Sequence, residues 1–147
     1  MKNGFMIAGA VALCLSAGFA VAQDAPQMLR QDDMKAIGKA MGQLGAIAKG
    51  ENAYDPIVVQ GALTDISTKI TDFPTHFPPD SKTGNGTEAS PAIWENMDDF
   101  EAHAQKLADD ADALLADLPA DQAAVGAAMK TLGANCAACH KLYRVDK

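Results

Sequence analysis

The sequence predicts an all-α fold, an antiparallel up-down-up-down bundle of four helices. Three observations carry this expectation. Apolar residues recur at spacings of three and four in four separate segments, and no segment alternates as a half-buried strand would. The chain is rich in alanine and only 5% aromatic, a composition that suits closely packed helices better than sheets. Proline or glycine separates each periodic segment from the next, and short connections between helices favour antiparallel neighbours.

The first segment places Met34, Ile37, Met41, Leu44 and Ala48 on one stripe, with Asp24 and Pro26 positioned for a helix start and Gly50 for its stop. Helix one is therefore expected from about Pro26 to Lys49. Arg30 lies one turn before Met34 and points along the same buried face, where a cation calls for an anionic partner. Gly38, Gly42 and Gly45 lower the helix propensity of this segment. They suit a close approach by another backbone or a flat ligand, or else a tolerant surface.

Asp55 as N-cap and Pro56 at the first helical position open helix two, whose stripe is Val59, Leu63, Ile66 and Ile70 and which ends before Pro74. "FPTHFPPDSKTGNGTEASP" then has no period and forms a long connection. Its length points either to a functional loop or to a simple crossing between bundle ends. Ser90 and Pro91 open helix three, expected without interruption from Pro91 to Leu118 along Ile93, Met97, Phe100, Ala104, Leu107, Ala111, Leu114 and Leu118. After Pro119, the residues Val125, Met129, Leu132, Cys136, Cys139 and Tyr143 form the fourth stripe.

Lys2, the apolar run that follows it and Ala20-Val21-Ala22 read as a secretory signal peptide, residues 1–22, cleaved after Ala22. The run is short for a helix crossing ~30 Å of hydrocarbon, so no membrane anchor is expected after cleavage. Residues 23–147 then form one domain, exported to the periplasm, which keeps Cys136 and Cys139 but not Cys14. Loss of Lys2 and of no acid takes the formal charge from −7 to −8. That charge disfavours nucleic acid and anionic membrane and favours a redox partner with a basic docking patch.

The motif "CAACH", Cys136 to His140, lies inside the last helix on its core-facing side. A thioredoxin-like dithiol belongs at a helix N-terminus after a strand, and there is no βαβ pattern here. Zinc would need further ligands, and only His76 and His103 remain, far apart in sequence. C-x-x-C-H is the signature of c-type haem attachment. Two thioether bonds would tie Cys136 and Cys139 to one haem c, and the adjacent His140 would then reach the iron as axial ligand.

With that motif, the chain resembles the class II cytochromes c, the family of cytochromes c prime and their low-spin relatives. "CAACHKLYR" carries the resemblance together with "RQDDM" at Arg30 to Met34, "LGAIAKGENAYD" at Leu44 to Asp55 and "AIWENMDDF" at Ala92 to Phe100. The resemblance implies that Arg30 pairs with a haem propionate, that Arg144 lies by the proximal face near His140, and that Met34 occupies the distal face. Trp94 and Phe100 are expected as core beside the haem, and His76 and His103 as solvated. "LGAIAKGE" resembles the low-spin members, whereas Arg30, "AIWENMDDF" and Arg144 resemble the cytochromes c prime. Both readings of Met34 stay open, as an iron ligand or as an apolar lid over a five-coordinate site.

Electron transfer through Fe(II)/Fe(III) is the function these readings imply, and the alternative is binding or scavenging of small gases such as NO and CO. An enzyme such as a peroxidase is not expected, because helix one turns Met34, Ile37 and Met41 toward the haem and offers no acid-base group. Cytochromes c prime pair through their first two helices. Met28, Leu29 and Val58 are compatible with such a homodimer.

Overall fold

The computed structural model describes residues 25–145. The expected signal peptide, residues 1–22, and its expected cleavage site lie outside the described residues. Among them there are five helices and no strand: α1 (Pro26–Ala48), α2 (Pro56–Asp72), α3 (Ala92–Glu95), α4 (Met97–Ala116) and α5 (Gln122–Tyr143). None is long and apolar enough to cross a membrane.

Local chemistry sets the helix ends. Pro26 occupies the first turn of α1, where its missing N–H costs nothing. At the other end Gly50 adopts φ +75°, and its N–H donates to the Ile47 carbonyl at 2.9 Å. Such a left-handed residue closes a helix with little strain only when it lacks a Cβ. The Asp55 carboxylate accepts from Ile57 N–H at 2.8 Å and Asp121 from Ala124 N–H at 2.8 Å, so α2 and α5 each begin with a side-chain cap.

The uninterrupted third helix is corrected. Asn96, at φ −145° and ψ 59°, separates α3 from α4. In that non-helical conformation its carbonyl accepts the Phe100 N–H at 3.1 Å and starts α4, while its side-chain amide reaches the Tyr143 hydroxyl at 3.5 Å. The far end also falls short of Leu118, because Leu118 precedes Pro119 and the residue before proline is disfavoured in a helix.

The four long helices close a ring: α1 packs on α2 and α5, and α4 packs on the same two. Their stripes meet at its centre, where Val59, Leu63, Ile66, Ala111, Val125 and Leu132 are fully shielded from solvent. Burial of a leucine or isoleucine side chain of this kind contributes about 1.5–3 kcal/mol. At one end of the bundle Phe73, Phe77, Phe100 and Tyr143 form a run of edge-on and tilted ring contacts with centroids 4.7–5.9 Å apart. The connection between α2 and α3 is not featureless, because Phe73–His76 and Pro79–Ser81 form 3₁₀ turns. Its last residues are strapped to the chain end: Ser90 N–H donates to the Tyr143 carbonyl and Val145 N–H to the Glu88 carbonyl, both at 2.9 Å.

Candidate functional site

A cavity of about 680 Å³ opens between α1 and α5, floored by Phe73, Phe77, Phe100 and Tyr143 and rimmed by residues 86–89. This volume lies within the range of small-molecule and cofactor sites, and the mainly apolar wall is typical of them. From α5, Cys136, Cys139 and His140 face it together, since residues three and four apart share one side of a helix. Both cysteines are free thiols and half-buried.

Burial raises the pKa of both thiols. For Cys139, burial is followed by the neighbouring Cys136 and then Asp99, and the value is pushed up to about 11. Neutral thiols at the C-terminal end of a helix lack the stabilised thiolate that a redox dithiol needs. His140 moves the other way: burial first and the Arg144 cation second lower its pKa. The neutral imidazole so favoured is the form that binds a metal. Arg144 lines the same cavity, and its guanidinium pairs with Glu88 at 2.7 Å.

The facing wall belongs to α1, with Arg30, Met34, Ile37 and Met41. Arg30 is only 3% exposed. Its guanidinium donates to the Ser81 carbonyl at 2.9 Å, the Ser81 hydroxyl at 3.0 Å, the His76 carbonyl at 3.2 Å and the Thr87 hydroxyl at 2.6 Å. It also lies 4.6 Å from the Phe77 ring centroid. These contacts are neutral, so the expected anionic partner is not among them, and burial accordingly lowers the pKa of the guanidinium.

The three glycines of α1 separate. Gly38 lines the cavity, as does Gly133 on α5, and a Cβ at either would meet no atom within 4 Å. At Gly45 a Cβ would instead meet Met129 Cε at 3.6 Å across the helix interface, and Gly42 is exposed. A cavity of this volume, left open beside two such glycines, has room for a planar group.

The structure thus brings Arg30, Met34, Phe100, Cys136, Cys139, His140 and Arg144 to one cavity. Trp94 is outside its wall: the indole packs behind Phe77 at 5.7 Å and donates to the Phe77 carbonyl at 3.0 Å. Phe73, Phe77 and Tyr143 are floor residues that sequence reasoning gave no site role. The first two lie in the aperiodic connection, where no helical phase assigns a direction. The expectation that His76 and His103 are solvated is also corrected. The His76 side chain is 15% exposed, between Asp33 and Asp72, and that of His103 is 27% exposed, against Asp99 and the Tyr143 ring.

A family model described as cytochrome c' matches residues 26–144. The chain belongs to the cytochrome c prime family. A cytochrome c-556 from Agrobacterium tumefaciens (strain II Chrys) is 57% identical over 118 residues, covering 80% of this chain and 95% of that protein. A cytochrome c-556 from Agrobacterium fabrum is 53% identical over 134 residues, with coverage of 91% and 90%. The solved cytochrome c' from Rhodopseudomonas palustris superposes with a TM-score of 0.80 at 35% identity, covering 85% of this chain and 99% of that one.

As in other cytochromes c prime, the cofactor of this c-type haem protein is haem c. The residues present fit that group. The cavity is apolar for the macrocycle, Gly38 and Gly133 leave space beside it, and Arg30 presents to a propionate a buried cation whose hydrogen-bond partners among the described residues are all neutral.

Proposed function

We propose that the chain carries one haem c and works as a one-electron carrier in the periplasm, as a mature domain of residues 23–147. Cys136 and Cys139 form the thioethers, His140 is the proximal ligand and Arg30 meets a propionate. The observation that carries this reading is that Cys136, Cys139 and His140 share one wall of a cavity whose other wall holds Met34 and the uncompensated Arg30. Bound haem c supplies the Fe(II)/Fe(III) couple. The chain excludes water with Phe73, Phe77 and Phe100, favours the neutral form of His140 through partial desolvation and Arg144, and offers no proton donor at Met34, Ile37 or Met41. That last feature speaks against peroxide chemistry and for a carrier without enzymatic activity.

Met34 lines the cavity from α1, across from α5, and on this reading it serves as the sixth ligand. The optical spectrum of the reduced protein, before and after carbon monoxide, tests this. Sharp α and β bands that carbon monoxide leaves unchanged are expected, and Met34→Ala should make the spectrum respond to the gas. A second reading, binding of NO or CO, draws on the open space at Gly38, one turn from Met34. A high-spin spectrum that shifts at once on adding gas would favour it. For attachment, Cys136→Ala with Cys139→Ala should release haem on a denaturing gel, and retained haem would sink the thioether assignment.

The same reading extends to partners. An acidic surface suits a basic redox protein, and the exposed Met28, Ile57 and Val58 on α1 and α2 suit a homodimer through those helices. Sedimentation of the wild type and of Val58→Glu tests the dimer. A monomer in the wild type excludes it.

A further inference from the structure

Outside the haem cavity, α1, the end of α2 and the first 3₁₀ turn bring Asp33, Asp72 and His76 together, with one donor atom of each within 4.8 Å of the others. His76 Nε2 lies 3.2 Å from Asp33 Oδ2 and 3.2 Å from Asp72 Oδ2. Asp33 is 3% exposed, and its Oδ2 is shut off from solvent and accepts no hydrogen bond. Lys69 Nζ, at 3.1 Å, serves the other oxygen, Oδ1. A buried carboxylate oxygen left in this way is costly and calls for a cation.

The histidine cannot supply the missing contact by itself. The Thr75 hydroxyl donates to the Asp72 carbonyl at 2.7 Å and so turns a lone pair toward His76 Nδ1 at 3.4 Å. A proton on Nδ1 leaves the Nε2 lone pair aimed between two carboxylates. Even with a proton on Nε2, a single N–H serves one of the two oxygens, and its geometry selects Asp72. A metal ion placed among the three donors meets all of them. Bonds of about 2.0–2.1 Å in a tetrahedron separate donors by roughly 3.3 Å, close to the spacing of His76 from each aspartate.

We propose that Asp33, Asp72 and His76 form a second metal site for a borderline divalent ion, with Zn²⁺ the best match to one imidazole and two carboxylates. The site is independent of the haem assignment and leaves a coordination position open to solvent. Bound metal ties α1 to the turn whose His76 carbonyl holds Arg30, so its role is to brace Arg30 in the wall of the neighbouring cavity.

The test is calorimetric titration of chelator-washed, haem-loaded protein with Zn²⁺, paired with melting curves in saturating Zn²⁺. One ion per chain is expected, together with a raised melting temperature. His76→Gln and Asp72→Asn, both on the accessible side of the site, should each weaken binding at least about tenfold and abolish the thermal shift. His103→Gln should change neither. Absence of binding at millimolar Zn²⁺, or binding that survives both site variants or is lost with His103→Gln, would overturn the proposal.

Discussion

At the scale of single residues, Arg30 does two jobs with one group. Its guanidinium holds Ser81, Thr87 and the His76 carbonyl while keeping its charge uncompensated at the cavity. Arg30→Met should lower stability by about 1–3 kcal/mol, because buried acceptors lose their donor. Urea denaturation of the haem-loaded protein reads that loss, and an unchanged midpoint would reject the bracing role. Tyr143 gives a pH signature. Its hydroxyl donates to Asp99, and that bond, with burial second, pushes its pKa up to about 12 from 10.0. Because the folded value is the higher one, this stabilisation is whole below pH 10 and fades as pH rises toward about 12. The urea midpoint of the wild type should therefore fall faster over that interval than that of Tyr143→Phe. Parallel curves would show that the bond does not couple to folding.

At the scale of elements, the glycines of α1 separate packing from propensity. Gly42 is exposed with free space around it, so Gly42→Ala should stabilise the protein by about 0.5–1 kcal/mol. Gly38→Leu instead projects a side chain into the cavity and should reduce the haem carried per chain, measured as the ratio of Soret to protein absorbance. Undiminished haem content would mean that the space beside Gly38 is not used. The helices themselves were legible to within a residue or two, because Pro26, Gly50, Asp55, Pro56 and Pro119 punctuate them with chemistry that acts locally. The break at Asn96 was not. Ile93, Met97 and Phe100 keep the same apolar spacing across it, and the contact that Asn96 makes there is with Tyr143, far away in sequence. The site divides likewise. Cys136, Cys139, His140, Met34 and Arg30 could be placed from motif and phase, together with the resemblance. The neutral partners of Arg30 are mostly carbonyls and hydroxyls of an aperiodic segment, which no side-chain pattern announces. Trp94 shares its short helix with Ile93 yet turns to the other side of Phe77.

At the scale of the whole molecule, net charge governs encounter more than structure. With acids well in excess of bases, electron exchange with a basic redox protein should slow steeply as ionic strength rises past roughly 0.1 M, where the Debye length falls to about 10 Å. Stopped-flow rates across a salt series check this, and a flat series would place docking on apolar contacts instead. The hold of Arg30 on the crossing between α2 and α3 also has a thermodynamic side. A free segment of that length would sample many conformers, and closure entropy grows only slowly with length. Arg30 fastens it at His76, Ser81 and Thr87, and Gln27 and Gln31, neighbours on the same helix, fasten it at Thr83 and Asn85, so α1 removes much of that freedom. Detaching the segment from α1 therefore also frees the Arg30 charge at the cavity. Amide hydrogen exchange along residues 77–87 counts how often it occurs, and any anion that holds Arg30 in place must slow that clock.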